Sequence, residues 1–295
     1  MKAARNGRRG EGSNGKRLVP GKPGPRTLAI DVGGTALKAS VLDSAGRMVV
    51  DRVRVATPYP CPPKVLLDTL ADLTSPLPAF DQISIGFPGV VRNGRVLTAP
   101  HFGQDEWHNY PLEAAISHRF GRPARLLNDA EIQGLGIISG RGLEVVLTLG
   151  TGVGSAIFSD GWLAPHLELA QHPIHNDKTY NEYIGNAALR RHGKKRWNQR
   201  VLKAIETVDT LTHYDKLYIG GGNAQHITAA LPKNVHLASN DTGITGGIRL
   251  WDETVWQGIR GQGRSASSSP ATGRSRRPRS RGRSHVPSKP AGKLS

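Results

Sequence analysis

The stretch that most constrains this chain is Thr27–Leu42, TLAIDVGGTALKASVL. An apolar run, Leu28 to Ile30, ends on a carboxylate at Asp31. Two glycines follow, Gly33 and Gly34, then Thr35, then a second alternating run that carries Lys38. The pattern reads as strand, tight turn, strand. Glycines in the turn admit backbone angles closed to other residues and let a ligand approach the main chain. Successive N–H groups in such a turn form a concavity for an anion. Asp31 is suited to a magnesium ion, directly or through water, and Thr35 and Lys38 to phosphate oxygens. Taken alone, the stretch also reads as an ordinary hairpin between buried strands.

Two further stretches repeat the design. Val145–Phe158, VVLTLGTGVGSAIF, is a strand, a Gly-Thr-Gly turn at Gly150, Thr151 and Gly152, and a strand out. Leu217–Asn223, LYIGGGN, is a short strand running into Gly220, Gly221 and Gly222, with a helix expected from there to Ala230. The first two units resemble each other, which points to two related halves facing one ligand.

The 295 residues suffice for two small α/β domains with a sizeable core. The formal charge of +17 suggests a polyanion partner until it is located. Residues 1–26 carry net +7 and residues 257–295 net +10, whereas residues 27–256 balance 22 basic against 22 acidic side chains. Both ends are Gly/Ser/Pro-rich and nearly devoid of apolar residues, so they are expected to be disordered basic tails. Such tails touch RNA, anionic membrane or polyphosphate without specificity, or are simply solvated. Specific nucleic-acid recognition is not expected. The single cysteine, Cys61, excludes an internal disulfide framework and a Cys-rich metal site. No apolar run approaches the roughly 20 residues of a membrane span, and the basic N-terminus lacks the apolar core of a secretory signal. A cytoplasmic protein is the default expectation.

Along the chain, Arg47–Val55 alternates as a third strand and Pro63–Leu73 reads as a helix. Gln82–Ile85 is a strand entering the loop GFPGVV, which holds Gly89; a glycine–proline loop directly after a strand is a place where ligands meet backbone. Val90–Leu97 is a hairpin around Asn93-Gly94, and Pro111–Phe120 a helix. Arg125–Leu127 is a strand running into Asn128-Asp129, which opens a helix over Ala130–Ile138. Asn or Asp there is the ordinary N-cap. A carboxylate so placed is also expected to stay ionised, favoured by the helix dipole, and an ionised Asp beside a hydroxyl can take the nucleophile's proton in phosphoryl transfer. The loop Trp162–Lys178 holds Glu168 with His166, His172 and His175. With irregular spacing and no cysteines, these histidines read as solvent-exposed rather than as zinc ligands. Thr179 opens a helix bearing Glu182, the basic cluster Arg190–Arg200 starts a long helix to Leu211, and Asp241–Thr254 reads as a glycine-rich helix whose small residues permit close packing.

The pieces AIDVGGTALK, GFPGVV, LLNDAE, LTLGTGVGSAIFSDG, LELAQH, IGGGN and GITGG resemble the ROK family of bacterial sugar kinases, within the actin/hexokinase-like ATPase superfamily. The resemblance spans about residues 27–254, and TLGTGVGSAIFSDGWLAPHLEL is especially similar to the polyphosphate/ATP glucokinases of that family. It implies a two-domain actin/hexokinase-like (ribonuclease H-like) α/β fold, with domains at 27–127 and 128–256 and an interdomain active-site cleft. It implies phosphoryl transfer from ATP or polyphosphate, with Mg2+, to the 6-hydroxyl of glucose or a related hexose, by a homodimer. Asp129 would be the base. Asn128, Glu168 and Glu182 would bind the other hydroxyls, with Gln171 and Gly89 beside them. Gly33, Gly34, Thr35 and Lys38 would hold donor phosphates from one side, and Gly150, Thr151 and Gly152 from the other. Gly221 and Gly222 would border the nucleotide, and Asp31 the magnesium ion.

Two departures stand out. The family's CxCGxxGCxE zinc motif is KTYNEY here, without cysteines, as in its zinc-free branch. The family's ExGH becomes Glu168-Leu169-Ala170-Gln171, with His172 one place late; Gln171 can hydrogen-bond a sugar hydroxyl but is no imidazole. The resemblance also admits a non-catalytic sugar-binding regulator, a class that carries an N-terminal helix-turn-helix of roughly 60 residues; here only 26 residues precede the first strand. A nucleic-acid-associated protein acting through its tails is the third class.

Overall fold

A computed structural model describes residues 24–261, apart from His101 and Asn240. Strands β1 (Thr27–Val32), β2 (Ala36–Leu42) and β3 (Val53–Ala56) form an antiparallel meander. Helix α1 (Pro63–Thr74) then crosses to β4 (Gln82–Phe87), parallel to β1. The hairpin β5 (Val91–Arg92) and β6 (Arg95–Val96) turns on Asn93 and Gly94, both at positive φ, as its Asn-Gly pair predicts. Helices α2 (Gln104–Trp107) and α3 (Leu112–Phe120) lead to β7 (Ala124–Asn128), parallel to β4. The sheet order is β3-β2-β1-β4-β7. Its parallel members need helical crossovers, and β1, covered on both faces, is apolar nearly throughout.

Helix α4 (Asp129–Leu135) leaves β7 without a loop. The second sheet then repeats the first: β8 (Leu143–Leu149), β9 (Val153–Ser159) and β10 (Trp162–Leu163) are antiparallel neighbours. After the small ribbon β11 (Pro173–His175) and β12 (Lys178–Thr179) come α5 (Tyr180–Ile184) and the long α6 (Asn186–Thr212), whose helical angles break at Gly193. Strands β13 (Lys216–Gly220) and β14 (Val235–Leu237) add parallel to β8, for the order β10-β9-β8-β13-β14. Both sheets thus place a glycine turn between their central strand and its antiparallel partner. One core gathers Leu28, Ile85, Phe87 and Trp107 on the first sheet. Another gathers Val145, Leu147, Trp197 and Ile219 on the second.

The end of the chain returns to the first sheet through α7 (Thr242–Thr245), a 3₁₀ turn Gly246–Trp251 and α8 (Glu253–Gly261). Ile244 packs with Ala29 and Leu42. Ser84 Oγ donates to the Gly247 carbonyl at 2.7 Å, and Arg125 stacks on the rings of Trp251 and Trp256 at 4.3 and 4.9 Å. The single glycine-rich helix expected over Asp241–Thr254 is therefore three shorter pieces. Adjacent glycines are poor helix formers, and here they serve close approach. Helix α8 reaches Gly261, with Ile259 packed on the core, so residues 257–261 are ordered helix rather than tail. The remainder of both basic tails lies outside the described residues.

Two other expectations are corrected. The third strand is Val53–Ala56, not the whole of Arg47–Val55. No helix runs from the glycine triplet to Ala230; there is one 3₁₀ turn, Ala224–His226. Buried Asn198 accounts for this: its Oδ1 accepts from the backbone N–H of Thr228 and Ala229, which a helix would have used. Among the described residues no helix is long and apolar enough to cross a membrane.

Candidate active site

A cavity of about 420 Å³ is lined by both glycine turns, the start of α4 and the loop after β10. Asp31, Gly33, Gly34, Thr35, Lys38, Gly89, Asn128, Asp129, Gly150, Thr151, Gly152, Glu168, Gln171, Gly221 and Gly222 all face it. Residues up to 191 positions apart in sequence are thereby brought to one site.

Asp129 owes its place to the strand-to-helix junction. Asn128 caps α4: its Oδ1 accepts from Ala130 N at 2.9 Å, and Glu131 Oε2 reciprocally accepts from Asn128 N at 3.1 Å. The Asn128 amide donates to the carbonyls of Phe87 and Gly89, so this side chain also fastens the Gly89 loop. The Asp129 carboxylate accepts from Ala130 N at 2.9 Å. Burial, followed by the charges of Asp31, Glu168 and Glu131, pushes its pKa up to about 7. The sequence expectation of a carboxylate held ionised by the helix dipole is corrected here: burial and three neighbouring carboxylates outweigh one helix of seven residues. The corrected value suits a general base better, since such a group works best with a pKa near the operating pH.

On the first turn, Asp31 and Lys38 are register partners across β1 and β2, and their side chains form an ion pair at 2.8 Å. The two turns meet: Thr35 Oγ1 and Thr151 Oγ1 lie 2.7 Å apart. One phosphate group resting there is within reach of both hydroxyls. The second turn is braced by Asn181, whose Oδ1 accepts from Val153 N at 2.6 Å, and by Asn223, whose amide donates to the Gly150 carbonyl at 3.0 Å. Gly221 is glycine of necessity. Its φ is +82°, and a Cβ there would lie 2.4 Å from the Leu149 carbonyl oxygen.

Glu182 stands apart from the cavity. Its carboxylate accepts from Thr179 N at 2.9 Å, and Thr179 Oγ1 caps α5 in return. His166 departs from the exposed-loop reading in the other direction. Its side chain is only 10% exposed, with Nδ1 2.8 Å from Glu131 Oε1 and Nε2 3.5 Å from Glu168 Oε2. His172 and His175 are exposed, as expected.

The cavity also holds residues that motif reading passed over: Arg52, Arg54, Gln133, His166, Asn181 and Asn186. For the arginines a signal existed. Alternation along Arg47–Val55 puts Arg52 and Arg54 on one face of a strand, and Arg54 pairs in register with Lys38. Arg52 forms an ion pair with Asp241 at 3.0 Å, whereas Arg54 has no ion-pair partner among the described residues. Asn181 and Asn186 carried no local signal.

The donor set suits a magnesium ion shared with phosphates. Mg2+ takes one or two carboxylates plus phosphate and water oxygens, and Asp31 and Asp129 are close enough for the charge of one to raise the pKa of the other. Among the described residues no cluster of three or more His, Cys, Asp or Glu side chains could cage a metal.

The ROK family model matches residues 27–165. Polyphosphate glucokinase of Mycobacterium tuberculosis is 27% identical over 226 residues, covering 74% of this chain and 83% of that protein. The inorganic polyphosphate/ATP-glucomannokinase of Arthrobacter sp. strain KM superposes with a TM-score of 0.71 at 26% identity, over 78% of this chain and 100% of that one. A ROK family glucokinase from Streptomyces griseus, solved with glucose and AMPPNP, shares the fold at a TM-score of 0.63 and 18% identity, over 76% and 98% of the two chains. With their paired glycine turns and helix-capping aspartate, residues 27–165 match the ROK family, and the chain is similar over most of its length to polyphosphate/ATP glucokinases.

Proposed function

We propose that this chain is a hexose kinase that transfers a phosphoryl group from ATP or polyphosphate to the 6-hydroxyl of glucose. The observation that carries this reading is Asp129: a carboxylate with a pKa of about 7, at a helix N-terminus, in a cavity walled by two glycine turns whose threonines touch. Asp129 accepts the proton of the 6-hydroxyl as that oxygen attacks the terminal phosphorus of the donor. Glu168 and Gln171 hydrogen-bond other hydroxyls, with the Gly89 loop held against them by Asn128. Thr35, Thr151 and Lys38 meet the donor phosphates, an arrangement that catalyses by positioning and electrostatics. Bound Mg2+ neutralises charge on those phosphates, and Asp31 is the carboxylate to hold it. The two sheets belong to two domains, 27–127 and one that begins at 128 and runs to the end of α8 at Gly261, and closing them over the sugar keeps water from taking the phosphoryl group.

The test is sugar phosphorylation by the purified chain with glucose and Mg2+, ATP and polyphosphate run in parallel. Turnover with either donor supports the reading and names the donor. Hexose binding by calorimetry without turnover would instead indicate a sugar-binding regulator, and neither binding nor turnover would discard both.

Arg54 addresses the donor. It lies beside Lys38 on the cavity wall with no ion-pair partner among the described residues. A hydrogen bond to a charged group contributes on the order of 1.5–3 kcal/mol. Arg54→Glu is accordingly expected to raise the KM for polyphosphate about tenfold or more while leaving the glucose KM unchanged. Steady-state kinetics varying one substrate at a time check this, and equal shifts in both KM values would refute it.

A further inference from the structure

His166 is unusual among the cavity residues in being both buried and tied to two carboxylates. Its ring is anchored at one end, where Nδ1 meets Glu131 Oε1 at 2.8 Å. Glu131 cannot easily move, because its other oxygen accepts from the Asn128 backbone N–H in the capping box that fixes Asp129. At the other end Nε2 is buried without a hydrogen-bond partner among the described residues. An unmatched buried polar atom is costly and calls for an explanation. The group facing it is Glu168 Oε2 at 3.5 Å, too long for a hydrogen bond but within ion-pair range. Glu168 is one-third exposed and faces the cavity.

Burial opposes a charge on His166, but the hydrogen bond to Glu131 and the negative charges of Glu131 and Glu168 prevail and push its pKa up to about 9. At neutral pH the ring is thus an imidazolium with N–H groups at both nitrogens. Gln171, exposed at the cavity, carries no charge with which to orient a carboxylate.

We propose that His166 is the positioning residue for the acceptor sugar: held by Glu131, it directs Nε2–H at Glu168 and fixes that carboxylate against a sugar hydroxyl. The inference rests on the hexose-kinase reading and deepens it, since it explains how Glu168 is aimed. The gap of 3.5 Å closes to a hydrogen bond when the sugar draws Glu168 into place; hydrogen bonds of this kind are often long before substrate binds. The link also ties sugar recognition to the base, because Glu131 and Asp129 share the first turn of α4.

The experiment compares wild type, His166→Gln, Glu168→Gln and the double variant, measuring KM for glucose and for the donor separately. In His166→Gln the glucose KM is expected to rise about tenfold with the donor KM unchanged, as for the loss of one charged hydrogen bond. The double variant is expected to be no worse than Glu168→Gln alone, because His166 acts through Glu168. A second readout needs no variant: 15N spectra of the wild-type chain at pH 7 should show both ring nitrogens of His166 protonated, with Nε2 shifting when glucose is added without donor. An unchanged glucose KM, parallel rises in both KM values with a lowered Tm, or an Nε2 resonance indifferent to glucose would overturn the inference while leaving the kinase intact. A wild-type chain that neither binds nor phosphorylates a hexose would overturn the kinase reading and this inference together.

Discussion

Asp129→Asn is expected to lower kcat by about 10³-fold, within the range that general acid–base groups contribute. Asparagine keeps the shape of the side chain and its hydrogen bond from Ala130 N, so KM for sugar and donor should move by less than roughly threefold. In the wild type, kcat/KM should climb as pH rises through about 7, the value to which burial and the charges of Asp31, Glu168 and Glu131 raise this group. The same shift makes a stability prediction of definite sign. In the unfolded chain an aspartate titrates near 3.9. The folded value lies higher, so the protonated carboxyl favours folding in full below about pH 4, and that contribution is lost as pH rises through about 7. Above pH 7 the ionised group opposes folding against its neighbours. Asp129→Asn should therefore be as stable as wild type near pH 4. It should be the more stable protein above pH 7, by on the order of 1–3 kcal/mol after allowance for the group's partial exposure. Thermal unfolding across pH, beside the kinetics, checks both halves. An inactive variant with no gain in stability would mean that Asp129 is not strained by its neighbours. An active variant would remove it as the base.

The readability of this site follows from how local each interaction is. A glycine turn between two apolar strands is a short-range event, so Asp31 to Lys38 and Gly150 to Gly152 could be assigned to a phosphate site before any contact was known, and the cavity does collect them. The helix cap at Asn128-Asp129 is equally local and appears as a full capping box. What was not legible depends on distant partners. The ionisation of Asp129 is set by its burial and then by the charges of Asp31 and Glu168, which come from other elements. His166 looks like a loop histidine until Glu131 is brought beside it. Asn198 abolishes an expected helix from thirty residues away, by taking the backbone N–H groups of Thr228 and Ala229. Glu182, placed near the sugar by motif alone, is engaged by its own helix cap, a competing local use of the same carboxylate. Sequence alone left such contests open because each is decided by geometry across the sheets.

Gly246→Val is expected to cause the largest stability loss. Gly246 sits in ordinary right-handed backbone, so the demand is for space rather than for an unusual angle. A Cβ there would lie 2.1 Å from the Ile132 carbonyl oxygen of α4, and Gly136, just past α4, is equally close-packed, its own Cβ falling 2.9 Å from Gly246 Cα. Both opposing groups are backbone, so no rotamer change relieves the clash. Overpacking costs about 1–3 kcal/mol even where side chains can yield, and here about 3 kcal/mol or more is expected, a fall in Tm of roughly 6–12 °C for a chain of this size. Gly261→Ala, at a position where a Cβ meets nothing within 4 Å, is the matching control and should be nearly neutral. The effect should reach catalysis as well. The 3₁₀ turn that carries Gly246 is bonded to the first sheet through Ser84 and the Gly247 carbonyl, while α4 begins with Asp129. Prising the two apart displaces Asp129, the proposed base, relative to the first glycine turn, where small misplacements are expensive. At temperatures where Gly246→Val is still folded, its kcat should therefore fall while the Gly261→Ala rate does not. A destabilised variant with full kcat would mean that the C-terminal return only fastens the fold, and that α4 is held in register with the phosphate turns by β7 and the Asn128 cap alone.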